Sequence, residues 1–196
     1  MKNSFNFQSK IIKEQIHKLP VKKFEGSIYL VDTINKKELI KDKLNNTEVL
    51  GFDTETRPSF KKGIRNNISL IQLATSHNAF LFRINLTGIP DFLVRIFENE
   101  NIIKVGVALR DDLSGLKKIK PFNPNGFVDL QQYVEKFGIE DKGLKKLAAN
   151  ILGLKISKSQ QTSNWENNIL KKQQLEYAAT DAWVCYEIYN KLTRPT

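Results

Sequence analysis

Phe52-Asp53-Thr54-Glu55-Thr56 sets two carboxylates into a segment whose other residues read as a buried strand. The residues before it, Glu48-Val49-Leu50-Gly51-Phe52, are mostly apolar and β-prone, so Val49 to Thr56 is most simply a strand. Side chains alternate along a strand, and Asp53 and Glu55 therefore leave by the same face. Two like charges side by side repel, and burial raises the cost unless a cation lies between them. Carboxylate oxygens suit a hard divalent ion such as magnesium or manganese. A strand end with two solvated acids is the bland alternative, and this stretch alone does not decide between the two.

Outward from that strand, the chain sorts into a meander followed by alternation. A polar loop, Arg57 to Asn67, carries Lys61, Lys62 and Arg65. Ile68 to Ala74 and Ala79 to Ile84 are apolar strands joined by Thr75-Ser76-His77-Asn78, which predicts a hairpin and, with the Val49 strand, three antiparallel strands. Downstream the pattern predicts a helix over Asp91 to Glu98, a strand over Ile102 to Val107 and a helix over Leu109 to Lys118. Phe127 to Leu130 then reads as a short strand running into a helix to Phe137, and Gly143 to Leu152 as another helix. A polar loop from Lys155 to Asn168 precedes a long final helix over Lys171 to Leu192. Upstream lie a strand over Gly26 to Val31 and a helix over Thr33 to Leu44. Ile12, Ile16 and Leu19, before Pro20, predict a short helix in a basic arm, residues 1–25, ahead of a main domain of residues 26–196. The expected fold is α/β: a mixed β-sheet, antiparallel meander plus parallel strands, flanked by α-helices.

At 196 residues the chain suits one domain with a full core. Its net charge of +10 points first to a polyanionic partner, although charge alone does not separate nucleic acid from an anionic membrane or from simple solubility. Cys185 is the single cysteine, so no intrachain disulfide can form and the chain is compatible with a reducing cytoplasm. No apolar run approaches a membrane span, and Met1 to Lys10 lacks the apolar core of a secretion signal. A soluble cytoplasmic protein is the expectation.

Two further acidic stations follow. Leu109, Leu113 and Leu116 mark a buried helical stripe that includes Asp112, whereas Asp111 falls with Ser114, Gly115 and Lys118 on the wet side. On the final helix Tyr177, Asp181, Val184, Cys185, Ile188 and Leu192 recur at spacings of three or four and form one stripe. An aspartate in that apolar stripe must be neutralised or bound, and Tyr177 stands one turn before it, close enough to share a ligand.

Phe52-Asp53-Thr54-Glu55, Val105-Gly106-Val107-Ala108-Leu109-Arg110-Asp111-Asp112 and Tyr177-Ala178-Ala179-Thr180-Asp181-Ala182 together resemble the DEDD 3′–5′ exonucleases. The similarity is to the tyrosine-bearing branch that includes ribonuclease D and the exonuclease domain of the Werner syndrome protein, and it runs from about Gly26 to Leu192. Ile68-Ser69-Leu70-Ile71-Gln72-Leu73 and Ser163-Asn164-Trp165 also look like the family's intervening sequence. The resemblance implies a ribonuclease H-like sheet, with Asp53, Glu55, Asp112 and Asp181 as ligands of two divalent ions, Mg2+ or Mn2+, and Tyr177 as the residue that orients the attacking water. It implies a metal-dependent 3′–5′ exonuclease acting on single-stranded DNA or RNA. Asp111 departs from the pattern by adding a second acid beside Asp112.

Lys61, Lys62 and Arg65 after the first motif, and Lys142, Lys145, Lys146, Lys155 and Lys158 before the last, suit a phosphate backbone held without base reading, although solvated helix faces explain any one of them as well. Trp165 either stacks on a base or closes over the site, or else is a packing anchor for its loop. The chain ends soon after the last motif, without the helical domains that follow the nuclease in ribonuclease D, so weak intrinsic affinity or help from a protein partner is expected. The alternative class is a nuclease-fold nucleic-acid-binding protein without catalysis.

Overall fold

Six strands make one mixed sheet in the computed structural model, which describes residues 7–45, 47–59, 63 and 66–194. They are β1 (Ser27–Val31), β2 (Val49–Thr56), β3 (Ile68–Ala74), β4 (Asn78–Phe82), β5 (Ile103–Gly106) and β6 (Phe127–Asp129), ordered β1-β4-β3-β2-β5-β6. β2, β3 and β4 form the antiparallel meander. The pairs β1/β4, β2/β5 and β5/β6 are parallel. β3 lies mid-sheet with both faces covered, so its sequence is a near-continuous apolar run in which Ser69 and Gln72 are the polar members, both buried.

The helices are α1 (Lys13–Lys18), α2 (Ile34–Asn45), α3 (Ile84–Thr87), α4 (Asp91–Glu98), α5 (Leu109–Ile119), α6 (Leu130–Tyr133), α7 (Leu144–Leu147) and α8 (Lys172–Thr193). Leu50 and Phe52 of β2 join Ile71, Leu73, Phe80 and Phe82 in a core closed by apolar stripes of α4 and α5, among them Phe92, Phe97, Leu109 and Leu116. The alternate residues Gly51, Asp53 and Glu55 face the other way, toward α8. Gly51 is where the helix comes closest. A Cβ there would lie 1.8 Å from the carbonyl oxygen of Ala182, so α8 rests its backbone directly on β2. A second core joins Val105 and Leu130 to Val184, Cys185, Ile188 and Leu192 of α8.

The predicted elements recur with small shifts and three differences of kind, and the pairing of β1 adds a contact on which the sequence made no prediction. The strand over Ala79 to Ile84 ends at Phe82, and Ile84–Thr87 turns into α3. The helix predicted after the Phe127 strand splits into α6 and a 3-10 turn, Val134–Phe137. The helix over Gly143 to Leu152 becomes α7 followed by a π-helical turn, Ala148–Leu152. β1 returns to pair in parallel with β4 at the sheet edge. Near the start of the chain, Ile11 and Ile16 are buried against Ala149, and Val21 bridges to Lys155. No helix among the described residues is long and apolar enough to cross a membrane.

Candidate active site

Asp53 and Glu55 from β2 and Asp181 from α8 bring carboxylate oxygens within 4.8 Å of one another. Strand alternation delivers the first two, and the Gly51–Ala182 contact sets α8 at the height that delivers the third. The pairing of β2 with β3 slips between Glu55 and Thr56, an irregularity of the kind that re-aims side chains beside active sites. The acids form one wall of a cavity of about 240 Å³, with Tyr177, Cys185, Lys145, Lys158 and Gln161 among its other walls.

The electrostatics of this cluster are unfavourable by themselves. Burial, then the charges of Asp181 and Asp112, push the Asp53 carboxyl well above its ordinary range. Burial and then Asp53 push Glu55 up to about 10. Burial raises Asp181 to about 7 against the pull of Tyr177 and Lys158. Burial, followed by the charges of Asp181 and Glu55, raises the Tyr177 hydroxyl above its ordinary value. One oxygen of Asp181, Oδ1, is buried without a hydrogen-bond partner. Converging hard oxygen donors, mutual repulsion and an unpartnered carboxylate oxygen fit a divalent cation.

Asp112 reaches the site from the opposite side of the sheet. α5 packs on the face of β2 that carries Phe52, and Thr54, which alternates with the two acids, donates its hydroxyl to Asp112 Oδ1 at 2.6 Å. Asp112 is half-buried and is raised to about 6, by burial first, while Asp111 is exposed. The assignment of Asp112 as the inward acid matches this placement, although its oxygens stand outside the three-acid cluster. The turn that aims α5 is held by Asp129 at the end of β6. Its carboxylate accepts the N–H groups of Ala108 and Leu109, at 3.1 and 3.0 Å, and of Gln131 at 2.9 Å. Ala108 has φ 59°, a left-handed conformation that costs a residue with a Cβ and persists here because Asp129 ties down its amide. Thr54 and Asp129 were missed by motif reading. Alternation within β2 and an aspartate placed to cap Leu130–Tyr133 were the available signals.

The remaining site residues separate. Trp165 is fully buried with Leu70, Leu81, Leu170 and Ala178, its ring 6.0 Å from that of Tyr177. The expectation that it stacks on a base is corrected: no face of the indole is open, and it anchors its loop behind Tyr177. Lys61, Lys62 and Arg65 lie outside the described residues. Of the five later lysines, Lys145 and Lys158 line the acid cavity. Lys142 pairs with Glu135, Lys146 with Asp141, and Lys155 donates to the His17 carbonyl.

Residues 28–196 match a family model described as 3′–5′ exonuclease. An exonuclease mut-7 homolog of Aedes aegypti is 30% identical over 195 residues, covering 87% of this chain and 27% of the relative. The bifunctional 3′–5′ exonuclease/ATP-dependent helicase WRN of Mus musculus is 34% identical over 190 residues, covering 89% of this chain and 13% of that protein. The chain therefore spans less than a third of the length of these two relatives. The crystal structure of the Aedes aegypti Nibbler EXO domain is 29% identical with a TM-score of 0.77, covering 87% of this chain and 90% of that one. The mixed sheet flanked by helices that the sequence predicts agrees with this likeness.

Proposed function

The chain belongs to the 3′–5′ exonuclease family, and we propose that it hydrolyses phosphodiester bonds from the 3′ end of single-stranded DNA or RNA, releasing nucleoside monophosphates. The observation that carries this reading is the meeting of Asp53, Glu55 and Asp181 within 4.8 Å in a cavity also lined by Tyr177. These three acids, with Asp112 joining from α5, would hold two divalent ions, Mg2+ or Mn2+. Such ions would supply an activated water and charge stabilisation at the leaving oxygen.

The protein's own groups divide the remaining work. Asp53, first of the two β2 acids and opposed by both Asp181 and Asp112, would be the central ligand of the set. Tyr177 keeps its proton at neutral pH because burial and the neighbouring acids disfavour the phenolate, so it orients a water by hydrogen bonding instead of acting as a base. Tyr177 in this position supports reading the chain as one of the tyrosine-bearing branch. Lys145 and Lys158 offer cations to the phosphates without reading bases, and Leu144 and Ile156 give the cavity an apolar wall for a sugar or base.

Incubation with 5′-labelled single-stranded DNA and RNA, in Mn2+, Mg2+ or chelator, tests the reading. A metal-dependent ladder shortening from the 3′ end is expected. Substrate retained by the protein but left intact in every metal would replace this reading with the binding-protein one.

A further inference from the structure

Gln72 is fully buried, and neither its Oε1 nor its Nε2 has a hydrogen-bond partner. A buried amide with both ends unpaired is rare and costly, and an apolar side chain of the same length would fill the space without that cost. Its place in the sheet is specific. Gln72 on β3 is the register partner of Asp53 on β2 and of Leu81 on β4. Residues directly opposed on antiparallel strands share a face, with Cβ atoms about 4.5–5.5 Å apart. The amide therefore stands beside Asp53 beneath α8. On its own strand and face it lies between Leu70, packed with Trp165 and Ala178, and Ala74, packed with Ala179 and Ala182. It does not line the acid cavity, so it meets Asp53 from behind.

We infer that Gln72 is a positioning residue for the metal-binding carboxylates. Unpaired in the metal-free protein, its Nε2 would donate, once the site is loaded, to the oxygen of Asp53 on the side away from the cavity and so keep the other oxygen turned toward the ions. A neutral amide suits this role better than a lysine or arginine would, because it orients a carboxylate without cancelling the charge that the ions need. The inference rests on the metal-dependent reading of the site.

The test is a Mn2+ titration of the parent, Gln72→Met and Gln72→Leu, read by melting temperature and by electron paramagnetic resonance of free Mn2+. Without metal, both variants are expected to melt at or above the parent's temperature, since an unpaired buried amide has been removed. Their half-saturating Mn2+ concentration is expected to rise about tenfold or more, as for the loss of other groups that orient metal ligands. Half-saturation equal to the parent's would overturn the inference, as would variants that no longer melt cooperatively, because the amide would then serve the fold. A parent that binds no Mn2+ would instead overturn the metal reading on which the inference stands.

Discussion

Arg83 and Lys104 are buried, as is Asp181 of the β2–α8 site beside the half-buried Asp53 and Glu55, yet the protein treats the two signs of charge in opposite ways. The Arg83 guanidinium donates to the carbonyls of Asn168 and Asn167 at 2.6 and 2.5 Å, tying the end of β4 to the loop before α8. Lys104 donates to the carbonyls of Asn99 and Ile102 at 2.7 and 2.6 Å, although burial lowers its pKa to about 8. These cations have found backbone partners within the chain, although Arg83 Nε is left without one. Asp53, Glu55 and Asp181 have found mainly one another, and burial holds each above the ordinary carboxylate range. Buried charge that the backbone satisfies belongs to the fold, whereas buried charge that meets its own sign is waiting for a partner from outside.

The largest expected effect comes from breaking the acid side of this comparison. Asp53→Asn should lower turnover by about 10³-fold or more while the metal-free protein melts at or above the parent's temperature. Comparable activity in the variant would remove Asp53 from the site. The cation side should fail in the other currency. Arg83→Met leaves two carbonyls unpaired and should cost about 2–4 kcal/mol, a melting temperature roughly 5–15 °C lower by calorimetry. An unchanged melting temperature would show that Arg83 does not serve the fold.

Smaller effects sharpen the contrast. Tyr177→Phe should slow turnover by about 10- to 100-fold at saturating substrate while Mn2+-induced stabilisation stays at the parent's level. A lost metal response would make the tyrosine part of metal binding instead. The pH dependence has a definite sign. Asp112, Asp181 and Glu55, raised to about 6, 7 and 10, hold protons more tightly in the folded state than when unfolded. Their destabilising contribution is therefore absent below the ordinary carboxylate range and grows as pH rises toward those folded values. Metal-free protein should gain about 1–2 kcal/mol between about pH 8 and about pH 5, and saturating Mn2+ should reverse that slope because protons and metal compete for the same oxygens. Thermal melts at a series of pH values, with and without Mn2+, check both signs.

What the sequence made legible was whatever repeats with a short period. Alternation placed Asp53 and Glu55 on one face, and the three-and-four spacing of Tyr177, Asp181, Cys185 and Ile188 placed two functional groups on a buried stripe. Contacts between distant segments were not legible. The parallel return of β1 to β4 and the approach of Asp112 to Thr54 from across the sheet depend on packing that no local window contains. Trp165 kept more than one reading because its neighbours Ser163, Asn164 and Glu166 are polar, while residues that bury it come from β3, β4 and α8. Gln174 shows how that loop is held: its side chain accepts from the Lys171 amide and donates to the Asn164 carbonyl, linking the start of α8 to the residue beside Trp165.

Gly51 has a mechanical consequence. Because α8 lies where a side chain at this position would go, the separation between the strand acids and the helix acid is one main chain stacked on another. Side chains can be retuned by rotamer, but main-chain thickness cannot, so the gauge of the site is fixed two residues upstream of Asp53. An alanine at 51 would act as a shim under the helix, and selectivity among ions of different radius would change before any ligand had been altered.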